Sequence, residues 1–140
     1  MAFWEGWPTD RILMVFSGLA FVMISIQVGL FHYRGNFRHW VMWGPVLSSP
    51  LLALLALALG VWNVYWLRVA FAVLLAVELV AATIGFILHV RGIMLRVGGW
   101  KLRNVLTGPP VMMPLMLAAI SLLGFIAIYW PGLATALAGE

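Results

Sequence analysis

Residues 44–66 read GPVLSSPLLALLALALGVWNVYW, and residues 108–130 read GPPVMMPLMLAAISLLGFIAIYW. The two stretches align without a gap. Gly44, Pro45, Pro50, Leu51, Leu59, Gly60, Tyr65 and Trp66 meet Gly108, Pro109, Pro114, Leu115, Leu123, Gly124, Tyr129 and Trp130. The apolar run ahead of each block matches as well: Arg11, His32, Arg34 and Gly35 stand where Arg68, His89, Arg91 and Gly92 stand in the second copy. The pattern predicts a tandem duplication of a two-helix apolar hairpin, the first copy over about 11–66 and the second over about 68–130.

Composition says what solvent these hairpins meet. Of 140 residues, 65% are hydrophobic and 9% charged, where a soluble domain carries roughly a quarter charged residues. Too few polar side chains remain to cover a water-facing surface, so the surrounding medium is expected to be lipid. Four apolar runs, at about 12–31, 41–60, 68–88 and 109–130, each match the roughly 20 residues that cross a bilayer core as helix. The chain therefore reads as an all-α membrane protein, one integral-membrane domain over 1–140 with four transmembrane helices. The absence of cysteine excludes disulfides, thiolate metal sites and covalent c-type haem attachment. The net charge of +4 lies at the predicted membrane edges and is no nucleic-acid signal.

Residues 1–8 have no basic leader, so a cleavable signal peptide is not expected. Trp4 and Trp7 read as interfacial anchors, and Asp10 as a helix cap at the water boundary. Pro45 and Pro50 are expected to bend the second span, with Ser48 and Ser49 re-satisfying freed carbonyls. Gly98-Gly99 marks a turn, and Pro131-Gly132 the end of the fourth span. The connections at 32–40 and 90–108 hold Arg34, Arg38, Arg91, Arg96, Lys101 and Arg103. The opposite side holds Arg11 and Arg68 against Glu5, Asp10 and Glu140. The positive-inside rule then places those two loops in the cytoplasm of a bacterial inner membrane, with both termini outside. Two spans per copy make the copies parallel repeats.

The sharpest chemical feature is the histidine pair. His32 and His89 each end an odd-numbered span, and each is followed by x-Arg-Gly. Symmetry puts them at one depth on one side, where two imidazoles can ligate a b-type haem. Arg34 and Arg91 stand at the right level for its propionates, since guanidinium suits carboxylate. Counting back from His89 along a helical face gives Gly85, Ala82 and Glu78; from His32 it gives Val28, Ser25 and Phe21. Small residues there leave room for a flat macrocycle, or equally let helices pack closely. A plainer account also covers the motif: cationic groups favour a helix C-terminus, a terminal histidine bonds a loop carbonyl, and Gly takes the left-handed position after the helix. His39 has no counterpart in the second copy, and its spacing from the other two histidines resembles no metal motif.

Glu78 is the lone acid inside a span, and its counterpart is Phe21. An ionisable group at that depth is costly and a functional candidate. Ser121 stands at a similar depth and is its expected hydrogen-bond partner. Arg96, Lys101 and Arg103 lie in the longer loop and are expected to meet a partner protein or anionic lipid. Phosphate loops, paired catalytic carboxylates and nucleophile–base pairs are missing, so catalysis by this chain alone is not expected. Duplicated four-helix membrane proteins include b-type cytochromes and small multidrug exporters. The chain lacks the mid-membrane histidine pairs of the di-haem cytochromes, and its acid is in the third span rather than the first, so these are likenesses of architecture only. The expectation is a non-catalytic accessory subunit of a larger respiratory or photosynthetic electron-transfer complex, touching lipid and other membrane subunits. The alternatives are a haem-b subunit linking a dehydrogenase to quinone, and a small proton-coupled transporter using Glu78.

Overall fold

The computed structural model describes residues 3–138; Met1, Ala2, Gly139 and Glu140, the last counted in the charge balance above, lie outside them. Five α-helices are present: α1 (Thr9–Arg34), α2 (Trp43–Val61), α3 (Tyr65–Gly92), α4 (Leu102–Thr107) and α5 (Met112–Ala138). A 3-10 turn at Trp40–Met42 leads into α2, and a π-helical turn at Ile93–Val97 follows α3. Four of these segments are long and apolar enough to cross a membrane. They form an all-α membrane bundle, with α4 a short exposed helix between the third and fourth spans.

Going round the bundle the order is α1, α2, α3, α5, so α1 faces α3 across one diagonal and α2 faces α5 across the other. The connection Trp62–Val64 is too short to do anything but reverse the chain, which fixes α2 and α3 as antiparallel neighbours. Each helix buries one narrow stripe. In α1 it is Asp10, Met14, Ser17, Gly18, Phe21, Ile24 and Val28; in α3 it is Leu67, Phe71, Leu75, Glu78 and Ala82. Met14 and Phe71, Gly18 and Leu75, and Phe21 and Glu78 are the positions that the sequence alignment matches. The outer faces stay apolar: Leu19, Met23, Ile26, Leu54, Val73 and Leu122 are all exposed, as a surface bathed in lipid tails requires.

Glycine brings the pairs together. A Cβ on Gly60 of α2 would stand 2.5 Å from Val15 Cγ2, and one on Gly124 of α5 would stand 2.9 Å from Leu75 Cδ1. The prolines fall mostly where a helix tolerates them. Pro45 and Pro114 are each the third residue of their helix, where the missing N–H has no intrahelical acceptor to lose. They start α2 and α5 rather than bending them; Pro50 is the proline inside α2. Ser49 Oγ donates to the carbonyl of Pro45 as expected, whereas Ser48 Oγ makes no hydrogen bond.

Several boundaries differ from the sequence expectation. Asp10 lies within the first turn of α1, with Pro8 in the capping place, and makes no capping bond there. Its carboxylate instead accepts from Arg68 Nη2 at 3.1 Å and from the amide of Arg11 at 3.0 Å. Trp4 is not simply an interfacial anchor: its Nε1–H donates to Leu59 O at 2.7 Å, and Arg68 lies over its ring. Trp7 is exposed beneath Arg11, whose guanidinium is 4.0 Å from the ring centre. Pro131 does not end the fourth span, because α5 runs through it to Ala138. Arg68 Nη1 donates to Ile128 O in the turn that Pro131 disturbs. The segment 90–108 is largely helical rather than a loop, and Gly98 and Gly99, both with φ near +100°, make its turn.

Arg68 and Asp10 are both largely buried, so removing one leaves the other without compensation. Arg68→Met is expected to cost roughly 2–4 kcal/mol of stability. The double variant Asp10→Leu, Arg68→Met should recover most of that. Both are measured by reversible unfolding of the detergent-solubilised protein.

Candidate functional site

At the end of the bundle away from Arg68, the helices part around a cavity of about 630 Å3. This lies inside the range of about 300–1,000 Å3 typical of small-molecule and cofactor sites. α1 contributes Val28 and His32, the start of α2 contributes Gly44 and Pro45, and the start of α5 contributes Met113, Pro114 and Leu117. α3 supplies the longest wall, from Glu78 at the deep end through Ala82, Gly85 and His89 to Arg91. His39, Trp40 and Arg96 stand at the mouth.

His32 and His89 thus come from diagonally opposed helices and line one cavity. The small residues read below His89, Gly85 and Ala82, line the space with it; on the α1 side Val28 does so. Ser25 turns away and donates to Val22 O at 2.8 Å.

The two imidazoles are held differently. His89 Nδ1 lies 2.8 Å from Pro110 O. A carbonyl only accepts, so Nδ1 carries the proton, and the lone pair of a neutral ring is left on Nε2. His32 makes no side-chain hydrogen bond among the described residues and meets the edge of Phe37, with ring centres 6.5 Å apart. A ligating histidine commonly donates its other N–H to a carbonyl, so the Pro110 contact suits a ligand as well as a plain helix end. The glycine part of the plainer account fails in both copies. Gly35 has φ −79° and Gly92 φ −61°, neither of them left-handed. Gly92 serves a close approach instead: a Cβ there would stand 3.0 Å from Pro109 Cγ.

The cations divide. Arg91 lines the cavity, whereas Arg34 is exposed outside it, so the propionate role expected of Arg34 has no support from its position. The rotation of each helix decides this: two residues past His89 point back to the mouth, two past His32 do not. Arg96 joins the mouth, where Arg96 Nη2 lies 3.4 Å from His39 Nε2. Lys101 and Arg103 are exposed at and inside the start of α4, clear of the cavity. No three His, Cys, Asp or Glu side chains among the described residues gather as a metal-binding group.

Glu78 is fully buried at the deep end, and neither carboxyl oxygen has a hydrogen-bond partner. The expected bond to Ser121 is not made. Ser121 Oγ donates to Leu117 O one turn back in its own helix, at 2.8 Å, which is the cheapest way to satisfy a serine in a membrane helix. Ser48 Oγ lies beside Glu78 without hydrogen-bonding geometry and is itself unpartnered.

No protein-family model, curated protein sequence or solved structure matches this chain.

Gly92→Leu should press α3 away from Pro109, break the His89–Pro110 contact and cost about 1–3 kcal/mol, the usual penalty of overpacking. Gly35→Ala, with only ordinary contacts to meet, should stay within about 0.5 kcal/mol of the parent. Thermal unfolding of the two variants side by side distinguishes them.

Proposed function

We propose that this protein is a non-catalytic integral-membrane subunit of a larger electron-transfer assembly, and that it holds a b-type haem between His32 and His89. One observation carries the reading: two histidines from opposed helices face one apolar cavity, and the hydrogen bond to Pro110 leaves His89 Nε2 free.

The residues present fit such a group. The donor set is two imidazoles, the walls are apolar, Ala82 and Gly85 leave width below the ligands, and Arg91 and Arg96 stand at the mouth where propionates would emerge. A haem bound there would supply one-electron transfer at a potential set by its axial ligands and their surroundings. The chain's own part is to orient His89 through Pro110, to keep water out with apolar walls and to neutralise carboxylates with the guanidinium groups.

The subunit reading rests on the surface. Little of the chain projects into water, and most exposed side chains along the spans are apolar, Gln27 and Thr83 being among the polar exceptions. Partners would meet it side-on in the bilayer or through Lys101 and Arg103 on the exposed α4 segment. The cluster of Arg34, Arg38, Arg91, Arg96, Lys101 and Arg103 favours a cytoplasmic position for the cavity end in a bacterial inner membrane.

Purified protein, reconstituted with haem during expression or afterwards, should show a Soret band that is lost in His32→Ala and in His89→Ala and kept in Arg34→Ala. A folded, colourless protein that stays colourless with added haem overturns the reading.

A further inference from the structure

The deep end of the cavity holds two groups that the haem reading leaves unused. Glu78 is completely shielded and makes no hydrogen bond with either oxygen, and the buried Ser48 Oγ beside it makes none. Orphaned polar atoms are expensive in an apolar interior, because they give up their bonds to water and gain none in return. Packing alone satisfies them poorly: Ser48 lies close enough to Glu78 to interact with it, but neither meets hydrogen-bond geometry with the other, with Ser121 or with a backbone carbonyl of the described residues. Nor does a cation compensate Glu78: the ion pair among the described residues is Asp10 with Arg68, at the far end. Arg91, the nearest cation along α3 that lines the cavity, is 13 residues away from Glu78, about 20 Å at the helical rise.

The same region opens sideways. Ile84, which lines the cavity, is 48% exposed on the lipid face of α3. A second, shallow apolar hollow on that face is lined by Ala76, Val77, Val80, Ala81 and Ile84, so Ala81 and Ile84 belong to both. α2 and α3 are the least closely packed of the four neighbouring pairs, which makes the seam between them the natural place of entry.

We propose that Glu78 and Ser48 bind the head of a lipid-soluble quinone or quinol, which enters between α2 and α3 and lays its apolar tail along the hollow on α3. The chemistry selects this class. A carboxyl and a hydroxyl together can donate to a carbonyl oxygen and accept from a phenolic O–H. A phosphate head would meet an acid with no cation, at a depth its own hydration does not allow. An uncharged oxygen on a ring meets neither objection. The position is distinct from the histidine level, since Glu78 lies 11 residues below His89, about 16 Å along the helix. It does not require that a haem be bound.

The test is equilibrium binding of decylubiquinone to the full chain in lipid nanodiscs, measured by titration calorimetry against empty nanodiscs. The expected result is saturable binding at one site per chain. Glu78→Leu and Ala81→Phe should each weaken it at least tenfold, Glu78→Gln only a few-fold, and His32→Ala not at all. Glu78→Leu should unfold at the same temperature as the parent or higher, because it removes an unsatisfied group. Ala81→Phe blocks the lateral opening without touching the acid, so it tests the site even if Glu78→Leu folds poorly. Absence of saturable binding, or an affinity in Glu78→Leu and Ala81→Phe equal to that of the parent, overturns the proposal. So does a phospholipid retained at one per chain that the quinone fails to displace. Loss of quinone binding in His32→Ala would place the ligand at the histidines and overturn it too, whereas a colourless protein that still binds quinone would sink only the haem reading.

Discussion

Arg68 gathers one end of this bundle by itself. From α3 it reaches Asp10 on α1, Ile128 O on α5, Asn63 in the turn after α2 and the ring of Trp4 ahead of α1. Inside a membrane, helices gain little from hiding apolar surface from lipid, since both environments are oily. What a polar knot supplies is direction: a charged group with fixed donors admits one arrangement of its partners. Arg11, its counterpart in the first aligned copy, does similar work nearby, donating to Gly60 O and Gly6 O. The Arg68 end is closed by these bonds.

The other end has no such knot, and its shape follows from that. The mouth is made by a 3-10 turn, a π-helical turn and two proline-led helix starts, elements that project side chains without locking helices together. Phe37 sits at φ +46° there, an unusual conformation for an aromatic residue, and stacks on Trp43 with ring centres 4.3 Å apart. The His89–Pro110 bond and the Gly92–Pro109 contact fasten α3 to the start of α5. Among the described residues no such bond fastens α3 to α2, and the four helices part around the cavity at this end.

The sequence made the four spans and the shared level of the two histidines legible, because runs of apolar residues and a repeated motif are coarse signals. It could not show which face of each helix turns inward. The lipid face is as apolar as the core, so Leu19 and Met23 carry no mark that separates them from Phe21 and Ile24. This is why Arg34 was expected at the cavity and Arg91 alone arrived, and why Glu78 was matched with Ser121 on depth when rotation also matters. Asp10 looked like a cap because its partner is 58 positions away along the chain. Pro131 looked like a terminator because local chemistry disfavours proline in a helix. The neighbouring carbonyl contact from Arg68 is invisible in a single stretch. His39 and Arg96 at the mouth had no signal except their side of the membrane.

The four spans are also of unequal length. α2 with its 3-10 turn covers Trp40–Val61, 22 residues and about 33 Å, whereas α3 with its π-helical turn covers Tyr65–Val97, 33 residues and close to 50 Å. A hydrocarbon slab of about 30 Å suits the first upright and the second only if it leans or protrudes. Because the knot at Arg68 pins the two at one end, any lean of α3 is taken up at the other, where it spreads or narrows the slot beside α2. Membrane thickness therefore bears most on the slot beside α2, the part of the bundle farthest from the Arg68 bonds.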